Sequence, residues 1–196
     1  MAQRSSKTVQ LSVNYTPREW QQLVHDGMAT KQKAVLICSR QIGKTRASIA
    51  ELVHRALTSP PDTCSAYVAP YISQARKIAW PALKLHLGDV LQHCAVRESE
   101  LSITLPGNRV IYLLGGDNEA ARGLSIRNLL IDEVDNLSQA IVKEVLLPTL
   151  SSHGDAAWLC YIGTLSGGQS KLWQLYLEHR EDPDWFTLVM PADKSG

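Results

Sequence analysis

The stretch Ile37-Cys38-Ser39-Arg40-Gln41-Ile42-Gly43-Lys44-Thr45, or ICSRQIGKT, decides the fold. It ends as a phosphate-binding loop ends, in Gly-Lys-Thr. The pattern G-x-x-x-x-G-K-[ST] puts its first glycine at position 38, however, and position 38 is Cys38. At average residue usage a G-K-[ST] triplet arises by chance in roughly one chain in ten of this size. The triplet therefore carries weight only where a strand precedes it and a helix follows.

The flanks meet that requirement. Lys33-Ala-Val-Leu-Ile-Cys38 is a short unbroken apolar run, the pattern of a strand buried on both faces. After Thr45, the residues Ala47, Ile49, Ala50, Leu52, Val53 and Leu57 recur at helical spacing. Upstream, residues 1–14 read as a polar arm. Thr16-Pro17-Arg18-Glu19 then predicts a helix start, with Thr16 as cap, Pro17 in the first turn and Glu19 completing a capping box. Trp20, Leu23 and Val24 give this helix an apolar stripe that fades near Gly27.

Downstream, strands are predicted at 65–69, 128–131, 158–162 and 186–190. Helices are predicted at 73–91, 137–147 and 171–179, the first broken or kinked by Pro81. Segments 101–105 and 110–114 flank Pro106-Gly107-Asn108-Arg109 and predict a β-hairpin. Alternating strands and helices imply one α/β domain over residues 15–196, with a mostly parallel sheet and the hairpin as an antiparallel addition.

Composition sets broad bounds. The chain has 196 residues, enough to bury a core, and 44% are hydrophobic. No apolar run approaches the roughly 18 residues of a membrane-spanning helix, and the N-terminus lacks the apolar centre of a signal peptide, so a soluble intracellular protein is expected. Cys38, Cys64, Cys94 and Cys160 form no C-x-x-C pair; Cys38, Cys64 and Cys160 lie in or beside apolar runs and are expected to act as small buried hydrophobes. Twenty Lys and Arg against 19 Asp and Glu leave a formal charge of +1, so any contact with nucleic acid must be a local patch.

In a phosphate loop, successive backbone N–H groups and the N-terminus of the next helix converge on phosphate oxygens. Gly43 allows a close approach that a side chain would obstruct. Lys44 neutralises the β- and γ-phosphates of ATP, and the Thr45 hydroxyl ligates Mg²⁺. Position 38 need only leave the strand, which a small cysteine can do. A second signal is Leu129-Leu130-Ile131-Asp132-Glu133, a buried strand ending in two carboxylates at the sheet edge where ligands bind. There Asp132 is expected to hold Mg²⁺, and Glu133 to orient and deprotonate the attacking water. Asp135 extends the motif to D-E-x-D, or caps the helix beginning near Leu137. A third signal is the strand Trp158–Ile162 ending in Gly163-Thr164, which places the Thr164 hydroxyl beside the γ-phosphate. The Gly163–Gly168 stretch lacks G-x-G-x-x-G spacing, which removes a dinucleotide-binding reading.

From about Tyr15 to Thr164, in order, these residues resemble the N-terminal ATPase domain of the large terminase subunit, the DNA-packaging motor of tailed bacteriophages and related viruses. In that family the loop often begins with a residue other than glycine and contains an arginine, as Cys38 and Arg40 do here. The resemblance implies an ASCE-type P-loop NTPase fold. It also implies a nucleotide site formed by Arg18, Gln21, Ser39, Arg40, Gln41, Ile42, Gly43, Lys44, Thr45 and Arg46. Pro17-Arg-Glu-Trp-Gln21 looks like the upstream glutamine motif, with Gln21 reading adenine, although Gln22 lies next to it. Arg40 is expected to act on its own subunit's nucleotide. Arg122, in Ala121-Arg122-Gly123, is expected to act on a neighbour's, with Arg127 near enough to confuse the assignment. Gly163-Thr164 looks like the motif that couples hydrolysis to movement.

The partners that follow from the resemblance are double-stranded DNA, the portal ring of the procapsid and the small terminase subunit. So does self-association into a ring, pentameric in the assembled motor, from a domain that is a monomer alone. No membrane partner is expected. The setting is the cytoplasm of an infected host cell, with transient residence at the procapsid vertex. Full-length members continue into a nuclease domain that needs well over a hundred further residues. The chain is therefore expected to be the ATPase domain alone and to cut no DNA. Two alternatives stay open on these residues: a helicase-like or other DNA-remodelling ATPase, and a nucleotide-binding switch without appreciable turnover. Glu133 argues against the switch, because a binding module needs no base.

Overall fold

The structure, a computed structural model, describes residues 14–116, 120–165 and 170–191. The polar arm, the residues 117–119 of the arginine-bearing loop and the Gly167-Gly168 pair lie outside that set. Eight strands form one sheet: β1 Lys33–Cys38, β2 Cys64–Ala69, β3 Ala95–Arg97, β4 Ser102–Leu105, β5 Arg109–Gly115, β6 Ile126–Asp132, β7 Trp158–Gly163 and β8 Trp185–Met190. Their order is β3-β4-β5-β2-β6-β7-β1-β8. The pairs from β5 to β8 are all parallel, and β3 and β4 add antiparallel strands at one edge.

Burial on both faces explains the unbroken apolar runs. In β1, Ala34, Leu36 and Cys38 enter one core while Val35 and Ile37 enter the other. The same alternation runs through β7, with Trp158, Cys160 and Ile162 on the first face and Leu159 and Tyr161 on the second. Helices α1 Glu19–Ala29, α2 Lys44–Thr58 and α4 Trp80–Leu87 cover the first face. A helical segment from Val134 to Ala156 and α5 Lys171–His179 cover the second. Each fully buried Leu, Ile or Val contributes about 1.5–3 kcal/mol, so these two layers fix the sheet. No helix among the described residues is long and apolar enough to cross a membrane.

Several expectations need correction. Helix α1 begins at Glu19, not near Pro17. Arg18 is its N-cap, and Gln21 rather than Glu19 closes the turn, its Oε1 accepting the Arg18 N–H at 2.9 Å. Its buried stripe is Trp20, Val24 and Met28, while Leu23 is half exposed. Nor does Gly27 end the helix. A Cβ there would sit 2.1 Å from the Phe186 ring, so the glycine lets α1 lie close against β8.

Pro81 does distort its helix. A short α3, Ile72–Gln74, widens into a π-helical turn at Ala75–Ala79 before α4, and the Trp80 N–H reaches back to the Ala75 carbonyl. Proline has no N–H to give the carbonyl one turn back, and the helix widens where that bond is lost. The helix expected at 137–147 is likewise irregular, with a 3₁₀ turn at Val134–Asn136, a π turn at Ile141–Leu146 and a 3₁₀ stretch at Leu147–Ala156 that bends at Gly154. Strand β3 was not anticipated, because its three residues are exposed and carry no alternation. The cysteines are all free, with Cys38 and Cys160 buried and Cys64 partly so.

Candidate active site

All six parallel strands end at one edge of the sheet, and the motifs collect there. The chain leaves β1 at the buried Cys38, and the Ser39 N–H donates to the Met190 carbonyl at the end of β8, 3.0 Å away. Burial holds the Cys38 thiol up at about 12, so it is neutral. The loop turns through two left-handed residues, Gln41 at φ 62° and Gly43 at φ 94°, and enters α2 at Lys44. A Cβ on Gly43 would approach Gln21 Nε2 to 3.1 Å. Gln21 itself is buried and donates to the Gly43 carbonyl at 3.2 Å. Gln22 instead faces outward and donates to Asp26 at 2.8 Å. Of the two glutamines, Gln21 is the one that touches the loop.

Lys44 joins the three motifs. Its Nζ donates to Glu133 Oε1 at 2.7 Å and to Thr164 Oγ1 at 3.1 Å, so loop, acidic strand end and Gly-Thr strand end meet at one ammonium. Sheet order makes this possible, because β7 lies between β1 and β6. Glu133 takes a left-handed conformation, φ 51° and ψ 50°, and its N–H donates to the Ile162 carbonyl at 2.8 Å. That bond ties the end of β6 to the end of β7.

Asp132 is 3% exposed. Tyr67 on β2 donates its hydroxyl to Asp132 Oδ2 at 2.6 Å, while Oδ1 is buried with no hydrogen-bond partner. Burial raises the Asp132 carboxyl to about 6, against the opposing pull of the Tyr67 hydrogen bond and the Lys44 charge. A buried oxygen without a donor is what an outlying cation or its water would satisfy, and Thr45 stands partly buried at the start of α2. Among the described residues no three His, Cys, Asp or Glu side chains gather as a metal cluster. One carboxylate and one hydroxyl suit Mg²⁺, which keeps several waters and shares phosphate oxygens.

The remaining expected residues are less closely gathered. Arg18 and Arg40 are exposed beside the loop, as is Gln41; Ile42 is buried and Ser39 partly so. Arg46 points away from the loop's centre and lies 5.8 Å over the Tyr15 ring. Arg122 is exposed next to Gly123, which has φ 79°. Arg127 is the second residue of β6, at the other end of that strand from Asp132. At about 3.3 Å per residue it lies roughly 15 Å from the carboxylate.

Asp135 corrects the reading of D-E-x-D. It does not cap a helix near Leu137 but serves α5, with Oδ2 accepting from Ser170 Oγ at 2.7 Å and Oδ1 from the Leu172 N–H at 2.9 Å. Two supports were not anticipated: Tyr67, and the buried Glu51 on α2. Glu51 Oε2 meets His25 Nδ1 at 2.9 Å and Oε1 accepts from Arg55 Nε at 2.7 Å, which fastens α1, and with it Gln21, to α2. Burial pushes the Glu51 carboxyl up, but the His25 hydrogen bond and Arg55 outweigh it and hold the group below the ordinary carboxylate value. A cavity of about 590 Å³ lined by Tyr15, His25, Glu51 and His86 lies between α1 and α2, and no residue of the phosphate loop lines it.

Comparison with known proteins places this geometry. Residues 35–185 match the family model described as terminase large subunit, T4likevirus-type, N-terminal. No curated protein matches at a significant level. Among solved structures the chain is similar to the large terminase ATPase domain of Thermus phage P74-26, with 20% identity and a TM-score of 0.74 over 92% of this chain and 82% of that one. It is similar to the HK97 bacteriophage large terminase, with 20% identity and a TM-score of 0.75 over 89% of this chain and 39% of that one. The large terminase of another thermophilic bacteriophage, in complex with ATP-γ-S, gives 18% identity and a TM-score of 0.72 over 90% and 45%. The chain thus spans less than half of the two longer relatives. At these identities the likeness shows the fold, an ASCE-type P-loop domain, and the family rests on the match through 35–185. The chain belongs to the T4likevirus-type terminase large subunit family and carries its N-terminal domain.

Proposed function

We propose that this domain hydrolyses Mg·ATP to drive double-stranded DNA into a procapsid. The observation that carries the reading is the convergence of Lys44, Glu133 and Thr164, each from a different motif, within hydrogen-bond reach. Lys44 can serve either the Glu133 carboxylate or a phosphate oxygen. A γ-phosphate drawn into the loop takes over the Lys44 charge and leaves Glu133 able to accept a proton from the attacking water. Thr45 and Asp132 hold Mg²⁺, which when bound neutralises charge on the phosphates. Gln21 reads the adenine edge, with Arg18 beside it. The loop backbone from Ser39 to Lys44 cradles the phosphates, and Arg46 flanks them.

Arg40 acts on its own subunit's nucleotide. Arg122 acts on a neighbour's in a ring, pentameric in the assembled motor, and Thr164 reports loss of the γ-phosphate. The portal ring and the small terminase subunit are the protein partners, and the work is done in the cytoplasm of the infected host at the procapsid vertex. The HK97 large terminase and that of the second thermophilic phage are longer chains, and this domain by itself performs no DNA cleavage. Structures of the latter enzyme include ATP-γ-S and ADP complexes, which supports the choice of nucleotide.

The test is a pair of variants read by binding and by turnover. Glu133→Gln should bind ATP-γ-S normally and lose turnover by on the order of 10²–10⁴, the usual cost of removing a general base. Lys44→Ala should lose both. Wild-type turnover in either variant places the chemistry elsewhere.

A further inference from the structure

Asp135 stands two residues beyond Glu133, and the hydrolysis scheme gives it no task. Its carboxylate is nonetheless fully engaged. It accepts from Ser170 Oγ at 2.7 Å and from the Leu172 N–H at 2.9 Å. Ser170 Oγ in turn accepts the Trp173 N–H at 3.1 Å. Lys171 Nζ donates back to the Asp135 carbonyl at 3.1 Å and to the Leu137 carbonyl. Two of the N–H groups that the start of α5 leaves without helical partners are thus served through one acid, and its charge suits the positive end of the helix.

We propose that Asp135 is a positioning residue that couples Glu133 to α5. The inference rests on Glu133 being the side chain that responds to the nucleotide. Lys44 grips Glu133, and the 3₁₀ turn Val134–Asn136 leads straight from Glu133 through Asp135. Both ends of that turn are pinned. The Glu133 N–H is bonded to Ile162 and the Asp135 carboxylate to α5. A change in the Glu133 backbone as Lys44 passes from carboxylate to phosphate therefore reaches α5 through a short, rigid and charged linkage. Gly163 adds a second constraint at the same place, since a Cβ there would meet Leu172 Cδ2 at 2.9 Å. The first turn of α5 is held against the site, while Trp173 and Leu177 stand exposed further along the same helix. Movement at Glu133 appears at the surface as movement of those two side chains.

The experiment is hydrogen–deuterium exchange of the whole chain with ATP-γ-S and with ADP, alongside nucleotide affinity and turnover. In the wild type, the first-turn amides of α5 should exchange at different rates in the two nucleotides. Asp135→Ala should abolish that difference and leave ATP-γ-S affinity within about threefold. Turnover at saturating ATP should fall on the order of 10- to 100-fold, the cost of a misplacement of about 1 Å at a reacting group. Asp135→Asn keeps one acceptor and should recover part of the difference. Ser170→Ala removes one arm of the clasp from the other side and is read in the same way if Asp135→Ala fails to fold. A nucleotide-dependent difference at α5 that persists in these variants, or that is missing in the wild type, overturns the proposal. Glu133→Gln, run in parallel, separates it from the reading beneath it. Wild-type turnover in Glu133→Gln removes the base and leaves the α5 result to stand alone; arrest of Glu133→Gln with no effect of Asp135→Ala removes the coupling only.

Discussion

Gly43→Ala tests whether the phosphate loop is a pinned structure or an adaptable turn. Gly43 has φ 94° and ψ 24°, outside what an L side chain adopts without strain. Backbone strain of this kind costs about 1–3 kcal/mol. The new Cβ would also sit 3.1 Å from Gln21 Nε2, tight enough to displace the amide that donates to the Gly43 carbonyl at 3.2 Å. Losing that hydrogen bond costs about 0.5–1.5 kcal/mol. Stiffening of the unfolded chain returns about 0.4–1 kcal/mol. The net loss is about 2 kcal/mol, or a fall in Tm of roughly 4–8 °C for a chain of this size. Gly123→Ala is the control, because Gly123 has φ 79° but nothing lies within 4 Å of its Cβ position, so it carries strain without the contact. The assay is thermal unfolding by circular dichroism with and without Mg·ATP-γ-S. A ligand at 100 times its Kd stabilises the wild type by about 2.7 kcal/mol, and Gly43→Ala should lose most of that increment. A variant as stable as the wild type, with an undiminished nucleotide increment, refutes the view that a left-handed glycine and Gln21 together set the loop.

Three further outcomes are expected. Gln21→Ala should weaken ATP more than inorganic triphosphate, whereas Gln22→Ala, on the outer face of α1, should change neither; equal loss for both ligands withdraws the adenine role of Gln21. Because the folded Glu51 carboxyl sits below its ordinary value of 4.5, its stabilisation is present above that value and is lost as pH falls through the folded one. Glu51→Gln should therefore cost about 1–3 kcal/mol near neutral pH and progressively less in acid, and a gap that does not narrow in acid refutes the linkage. Mixing Arg122→Ala protein with Lys44→Ala protein should restore ATPase activity in mixed rings, since one still binds ATP and the other still donates an arginine. The far-edge position of Arg127 makes the same mixture with Arg127→Ala a negative control.

What could be read from the sequence was whatever depends on near neighbours. Strand β1 and helix α2 stand where the apolar run and the helical spacing put them, and α5 occupies 171–179 as its periodicity predicts. Pro81 signalled a disturbed helix, but only the fold shows that the disturbance is a widened turn. Residues whose roles depend on distant partners were illegible. Tyr67 meets Asp132 across 65 positions, and Asp135 meets Leu172 across 37. Nothing in Ser65-Ala-Tyr-Val-Ala69 distinguishes a tyrosine that holds a carboxylate from one that fills a core. The fourth letter of D-E-x-D misled for the same reason: Asp135 has the identity of a motif residue and the partners of a helix cap.

The assembly of the site depends on register, and the hydrophobic pattern alone sets that weakly. Strand β7 is buried on both faces, so slipping it by one residue would exchange one apolar set for another. Shape supplies the missing specificity. Trp158 is fully buried, with the Arg55 guanidinium 4.8 Å from its ring centroid, and no neighbouring residue of β7 could take its place without leaving a void or a clash. At the other end of β7, Gly163 lies where a side chain would strike Leu172. A bulky residue at one end and an absent one at the other admit a single register, the one pairing Ile37 with Gly163 and Asp132 with Ile162. That register brings the ends of β1, β6 and β7 level. Only then can the Lys44 ammonium reach both Glu133 and Thr164. The chemistry of the sheet edge is thus set, in part, by the packing of a tryptophan at the opposite end of the strand.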